Sequence, residues 1–110
     1  MENKVVNMEE KSMVNKFRRE TVALSREIEY DGKKYTCLQL DLDGLTGEDL
    51  INAEMEAMAL GAAYSVAEMN KTYLACLGAK AAKVPVELVK SLPAKSFSTL
   101  TIIVQNFLLD

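Results

Sequence analysis

Hydrophobic and polar residues alternate along two stretches of the chain between residues 21 and 42. The dipeptide Asp31-Gly32, a frequent turn in β-hairpins, separates them. Alternation with a period of two is typical of strands that bury one face. The pattern therefore predicts an antiparallel β-hairpin. Its alternating positions are Val22, Leu24, Ile28 and Tyr30 on the first strand and Thr36, Leu38, Leu40 and Leu42 on the second.

The register of this hairpin depends on the length of its loop. A two-residue loop would pair Leu24 with Gln39 and would place the two apolar rows on opposite faces. A three-residue loop, Tyr30-Asp31-Gly32, pairs Leu24 with Leu38 instead and places both rows on one face. We therefore expect the three-residue loop, with Gly32 left-handed in a bulge.

From Thr46 onward the apolar spacing becomes that of a helix. Thr46 and Asp49 have the spacing of a capping box, in which each side chain accepts a hydrogen bond from the other residue's backbone N–H. Gly61 suits the left-handed residue that ends a helix. We expect a helix between these signals with two neighbouring apolar stripes. One comprises Ile51, Met55, Met58 and Ala62, and the other comprises Leu50, Ala53, Ala57 and Leu60.

A second capping signal, Ser65-x-x-Glu68, predicts another helix that runs to about Ala82. Tyr64 and Met69 occupy the positions of a hydrophobic staple around it. The inner side of this helix is predicted to carry Val66, Met69, Tyr73, Cys76 and Leu77.

Two prolines divide the remaining sequence. Pro85 suits the first turn of a short helix over Val84–Ser91, and Pro93 suits the start of a last helix. The β-branched residues between 99 and 104 leave a strand open, whereas the apolar spacing after Phe97 favours a helix. The predicted fold is therefore α+β: an N-terminal antiparallel β-hairpin followed by three or four α-helices that form a small helical domain.

A chain of 110 residues is long enough for one domain, which we expect to occupy residues 20–110. Residues 1–19 carry five basic and three acidic side chains, whereas the rest of the chain is acidic. Met13 and Phe17 are four residues apart and could seat one helical turn, but the segment has no longer apolar stripe. We predict that residues 1–19 form a flexible charged arm, with a docked helix as the alternative.

The composition argues against most catalytic chemistry. The chain has no histidine, only two cysteines and a formal net charge of −3. It therefore lacks the usual general base, and it is not expected to bind nucleic acid or an anionic membrane. The sequence that begins at Asp41-Leu42-Asp43-Gly44 lacks three determinants of a calcium loop, and Gly44-Leu45-Thr46-Gly47 does not have the spacing of a nucleotide-binding loop. We expect no enzyme activity, no metal and no cofactor.

Two groups of apolar residues are candidates for partner binding. Methionine side chains adapt to partners of different shape, so Met55, Met58 and Met69 form either core or a binding surface. A chain end rarely buries three large apolar residues completely, so Phe107, Leu108 and Leu109 form a second candidate group.

The order of these features resembles a known family. The resemblance spans about residues 20–109, and its motifs are mostly residues that form the fold. It is carried by Glu27-x-x-Tyr30-Asp31-Gly32-Lys33, by the sequence from Leu42 to Leu50, by Val84–Leu88, by Leu92–Phe97 and by Val104–Leu109. In this order of motifs the chain resembles the small tail assembly chaperones of tailed phages and prophages.

The resemblance implies a non-enzymatic assembly factor of the bacterial host cytoplasm that is absent from the mature virion. Such a protein binds the tape measure protein, keeps it soluble and recruits tail tube subunits around it. The family also implies a longer form of the same protein made by ribosomal frameshifting. The alternative is a structural tail or head-to-tail component that stays in the virion. Exposed strand edges of the hairpin favour self-association into a homo-oligomer.

Overall fold

The computed structural model describes residues 19–63 and 70–110 of the chain. These residues form two strands and four helices, and the fold is α+β, as predicted. Of the predicted arm, only Arg19 lies within the described residues, where it begins the first strand. The elements are β1 (Arg19–Tyr30), β2 (Lys33–Asp41), α1 (Gly47–Ala59), α2 (Lys71–Ala82), α3 (Val86–Lys90) and α4 (Ala94–Leu109).

The hairpin turn has two residues rather than the predicted three. Tyr30 pairs with Lys33, and both Asp31 and Gly32 have positive φ angles of 54° and 80°. Two left-handed residues in succession form a turn whose twist matches that of the strands, and aspartate tolerates the first position. The predicted three-residue loop is therefore wrong.

The strand register changes halfway along β1. Next to the turn Ile28 pairs with Tyr35, but farther away Val22 pairs with Leu38, so residues 24–27 lie opposite the single residue 36. The predicted pairing of Leu24 with Leu38 is therefore also wrong. Because this bulge restores a common apolar face, Val22 and Leu38 are nevertheless buried together.

A serine of α4 holds the bulge. The Ser25 N–H donates to Ser96 Oγ at 2.8 Å, and the Ser96 hydroxyl lies 3.4 Å from Ser25 Oγ. Ser96 is buried, although its side chain is polar. The hydrogen bond therefore joins the sheet to α4 and gives a partner to a donor that the bulge takes out of the strand pairing.

Both ends of α1 are as predicted. The Thr46 N–H donates to Asp49 Oδ2 at 2.9 Å, and the Asp49 N–H donates to Thr46 Oγ1 at 3.2 Å. At the other end Gly61 has a φ of 99°, and the Ala62 N–H reaches back to the carbonyl of Ala57. These bonds form a capping box and a Schellman motif.

The second helix begins later than predicted. Asn70 Oδ1 accepts the N–H of Tyr73 at 3.1 Å, so Asn70 caps α2 and the helix starts at Lys71. A single helix from Ser65 to Ala82 is therefore wrong, although its predicted end at Ala82 is confirmed. The predicted staple and capping residues 64–69 lie outside the described residues.

Helix α2 is the centre of the fold. It contacts α1, α3, α4 and β2, and its residues 73–79 are all buried. The helix crosses α4 closely at Gly78, where an added Cβ would overlap Cδ2 of Leu100. The last helix forms despite its β-branched residues, because Leu100 and Val104 are fully buried. Helix α4 also covers β1, so the hairpin and the helices share one core.

Candidate functional site

Helix α1 buries one face and exposes large apolar residues on another. Ala53 and Ala57 are fully buried against the core. Ile51, Met55 and Met58 are 61%, 65% and 60% exposed, and their spacing aligns them along one side of the helix. We call these three residues the α1 stripe. The sequence left two interpretations of Met55 and Met58, core residues or a binding surface. Their exposure shows that they are not core residues.

Carboxylates accompany the α1 stripe. Helix α1 contains Glu48, Asp49, Glu54 and Glu56 and no basic residue. Asp49 belongs to the capping box, and Glu48 also lies in the first turn, where negative charge is favoured by the helix dipole. Glu54 is exposed and lies between the stripe residues in sequence. Glu48 and Glu54 therefore border the stripe with negative charge, whereas Glu56 faces Cys76 of α2.

The other predicted binding residues are not brought together with this stripe. Phe107 and Leu108 are half-buried and pack against the core, whereas Leu109 is 64% exposed at the end of α4. Ile102 is exposed one heptad before Leu109 on the same side of α4. Met69 lies outside the described residues. Met55 and Met58 thus form one apolar surface and Leu109 belongs to another.

A groove of about 680 Å³ lies among the four helices. Its walls come from the end of α1, the first turns of α2 and α4, and both ends of α3. We call it the lysine groove, because Lys71 and Lys90 are the charged residues of its lining. Apolar residues that line it include Leu60, Ala75, Leu92 and Phe97.

The lysine groove and the α1 stripe lie on different sides of helix α1. Leu60 directly follows α1 and lines the groove. At 100° per residue, Leu60 lies about 140–180° around the helix axis from the stripe residues. A molecule therefore cannot fill its own groove with its own stripe. The two surfaces are available to separate binding events.

The two cysteines have different environments. Cys37 is exposed on β2, and Cys76 is buried in α2. Burial, and then the nearby Glu56 carboxylate that accepts a hydrogen bond from the thiol, raise the pKa of Cys76 from 9.0 to about 11. A thiol with a raised pKa is a poor nucleophile at neutral pH. Cys76 thus acts as a core residue.

Within residues 19–63 and 70–110, no group of three histidine, cysteine, aspartate or glutamate residues is placed to hold a metal ion. None of the helices in that part of the chain has the length and apolar character needed to cross a membrane.

Some surface residues were not among the predicted binding residues. Ile51 was assigned to the same apolar stripe as Met55 and Met58, but only its exposure shows that it belongs to the candidate site. The lysine groove was not predicted at all. The sequence carried no signal for it, because the predicted helix from Ser65 to Ala82 placed Lys71 in its interior rather than in its first turn.

Comparison of the chain with family models, with curated proteins and with solved structures finds no match in any of the three.

Proposed function

We propose that this protein is a binding protein for amphipathic helices and that the α1 stripe is its binding surface. The observation that carries the proposal is the exposure of three large apolar side chains, Ile51, Met55 and Met58, on one side of a well-capped helix. Exposed apolar patches of this kind on folded proteins mark sites of association.

The chemistry of the stripe favours a helical partner. Side chains that recur at three and four residues match the apolar stripe of another helix, which they can meet along its length. Two of the three are methionines, whose flexible thioethers adapt to different partner shapes. The carboxylates of α1 favour a partner whose apolar stripe is bordered by basic residues. Because the stripe has only three large side chains, it buries little apolar area on binding, and we expect the binding to be reversible.

The biological role that we propose is that of a phage tail assembly chaperone. In this role the protein binds the tape measure protein, keeps its apolar helices soluble, and releases them as tail tube subunits are recruited. It acts in the bacterial host cytoplasm and is absent from the mature virion. The resemblance of the sequence motifs supports this role, and the stripe supplies a surface with the required chemistry.

Co-expression with a cognate tape measure protein tests the proposal. We expect the soluble fraction of the tape measure protein to rise several-fold and the two proteins to co-purify. Met55→Gln/Met58→Gln removes the apolar surface without changing the charge, and we expect it to abolish the gain. Ile102→Gln is the control, because it removes an exposed apolar residue of α4 that lies outside the α1 stripe.

Three results would contradict the proposal. The first is an unchanged soluble fraction without co-purification. The second is a full effect from the Met55→Gln/Met58→Gln variant, which would place the binding surface elsewhere. The third is a stoichiometric amount of this protein in purified virions, measured by mass spectrometry, which would favour a structural component.

A further inference from the structure

The lysine groove has a positive electrostatic character. Lys71 and Lys90 are both exposed at its rim, and none of the lining residues within 19–63 and 70–110 is acidic. The first turns of α2 and α4 also contribute to its wall, and neither contains an acidic residue. The positive ends of two helix dipoles therefore add to the charge of the two lysines. The groove suits an apolar occupant that brings negative charge.

Helix α1 has the complementary character. Two of its carboxylates, Glu48 and Glu54, border the apolar stripe, and the helix has no basic residue. The stripe runs over the eight residues from Ile51 to Met58, or about 10 Å along the helix. The groove volume of about 680 Å³ is within the range of sites that enclose several apolar groups. One chain thus contains both an acidic apolar helix and a basic apolar groove.

We propose that the α1 stripe of one copy of this protein binds in the lysine groove of a second copy. Because the stripe and the groove lie on nearly opposite sides of α1, a bound pair of copies leaves one stripe and one groove free. The contact is therefore heterologous, and it adds further copies into a ring or an open chain. The contact is small, so the assembly dissociates readily on dilution.

Mass measurement on the purified full chain tests the proposal. We expect the average mass by light scattering to rise above 12.2 kDa with concentration, between about 10 µM and about 1 mM. Raising the salt concentration from about 50 mM to about 500 mM should return the mass to that of the monomer, because the contact pairs opposite charges near the surface.

Two variants separate the surfaces. Lys71→Glu/Lys90→Glu reverses the charge of the groove and leaves the stripe intact, whereas Met55→Gln/Met58→Gln replaces two of the three stripe residues and leaves the groove intact. We expect each variant alone to be a monomer. We expect a mixture of the two to form a 1:1 pair with twice the monomer mass and no larger species, because only one intact contact can form.

Lys33→Glu/Lys34→Glu on the hairpin is the control with the same change in charge, and it should assemble as the unaltered chain does. A monomer at every concentration would overturn the proposal. So would an assembly that survives in both groove and stripe variants, which would indicate pairing through the hairpin edges. The measurement uses the chain alone, so its outcome is independent of whether the tape measure protein binds.

Discussion

Gly78 is the residue at which α2 and α4 approach each other most closely. An added Cβ would overlap Cδ2 of Leu100 and lie 3.2 Å from its Cγ. Leu100 is fully buried, so it has little room to move. We predict that Gly78→Ala lowers the free energy of unfolding by about 1–3 kcal/mol, although alanine is by itself the better helix former. Urea unfolding followed by circular dichroism measures the change.

Gly47→Ala is the control for this prediction, since a Cβ at Gly47 meets no atom within 4 Å. That substitution should leave the stability unchanged or raise it by up to about 1 kcal/mol. Equal effects at the two glycines would show that packing against Leu100 is not the reason for Gly78.

The Cys76 thiol makes stability depend on pH in the alkaline range. Its pKa is about 11 in the folded protein and 9.0 as an ordinary thiol. As the pH rises above 9, the thiol of the unfolded chain ionises first, so the unfolded state is favoured. We predict a loss of about 1 kcal/mol between about pH 8 and about pH 10 from this group. Urea unfolding at the two pH values measures it.

Cys76→Ala separates this effect from that of other groups that titrate at high pH. The variant is less stable at both pH values because it leaves a cavity. Its loss of stability between the two pH values should be smaller than that of the unaltered protein. A loss of the same size would show that Cys76 does not cause the dependence.

At the scale of the elements, the hairpin depends on a contact distant in sequence. Ser96 of α4 accepts the N–H of Ser25 in the β1 bulge. We predict that Ser96→Ala lowers the free energy of unfolding by about 1–3 kcal/mol, because the Ser25 N–H loses its partner in a partly buried place. Chemical denaturation measures the stability, and hydrogen exchange of the Ser25 amide should become faster.

Ser98→Ala makes the same chemical change two residues along α4, where the side chain is half-buried in the lysine groove. Its stability should stay within about 0.5 kcal/mol of the unaltered protein. A loss at Ser98 that equals the loss at Ser96 would attribute the effect to α4 rather than to the bulge.

The contrast between α1 and the hairpin explains which elements could be predicted. Both ends of α1 are determined by residues within a few positions of one another, Thr46 with Asp49 and Ala62 with Ala57, so the sequence predicts them correctly. The register of the hairpin depends on a bulge whose partner, Ser96, is 71 residues away from Ser25. The spacing of residues within the hairpin therefore cannot predict its register.

At the scale of the whole molecule, the candidate site also combines features that local spacing predicts with features that depend on distant residues. The helical spacing of Ile51, Met55 and Met58 was evident in the sequence, but which stripe of α1 faces the core is decided by α2. The small residues Ala53 and Ala57 take the buried side because they allow α1 to approach α2 closely. The lysine groove combines residues from four helices, so no spacing along one helix predicts it.

The balance of charge and exposed apolar surface governs the solubility of the whole molecule. The net charge of −3 at pH 7 falls to zero near the isoelectric point of 5.0, where repulsion between molecules is weakest. We predict a solubility minimum near pH 5. Met55→Gln/Met58→Gln should raise the solubility at this minimum, because it removes exposed apolar surface and leaves the charge unchanged. Protein remaining in solution after centrifugation, measured from pH 4 to pH 8, provides the test. The two methionines are about two-thirds exposed, so thermal unfolding at pH 7 should be almost the same for both proteins. If the solubility curves coincide, association near pH 5 does not pass through the α1 stripe.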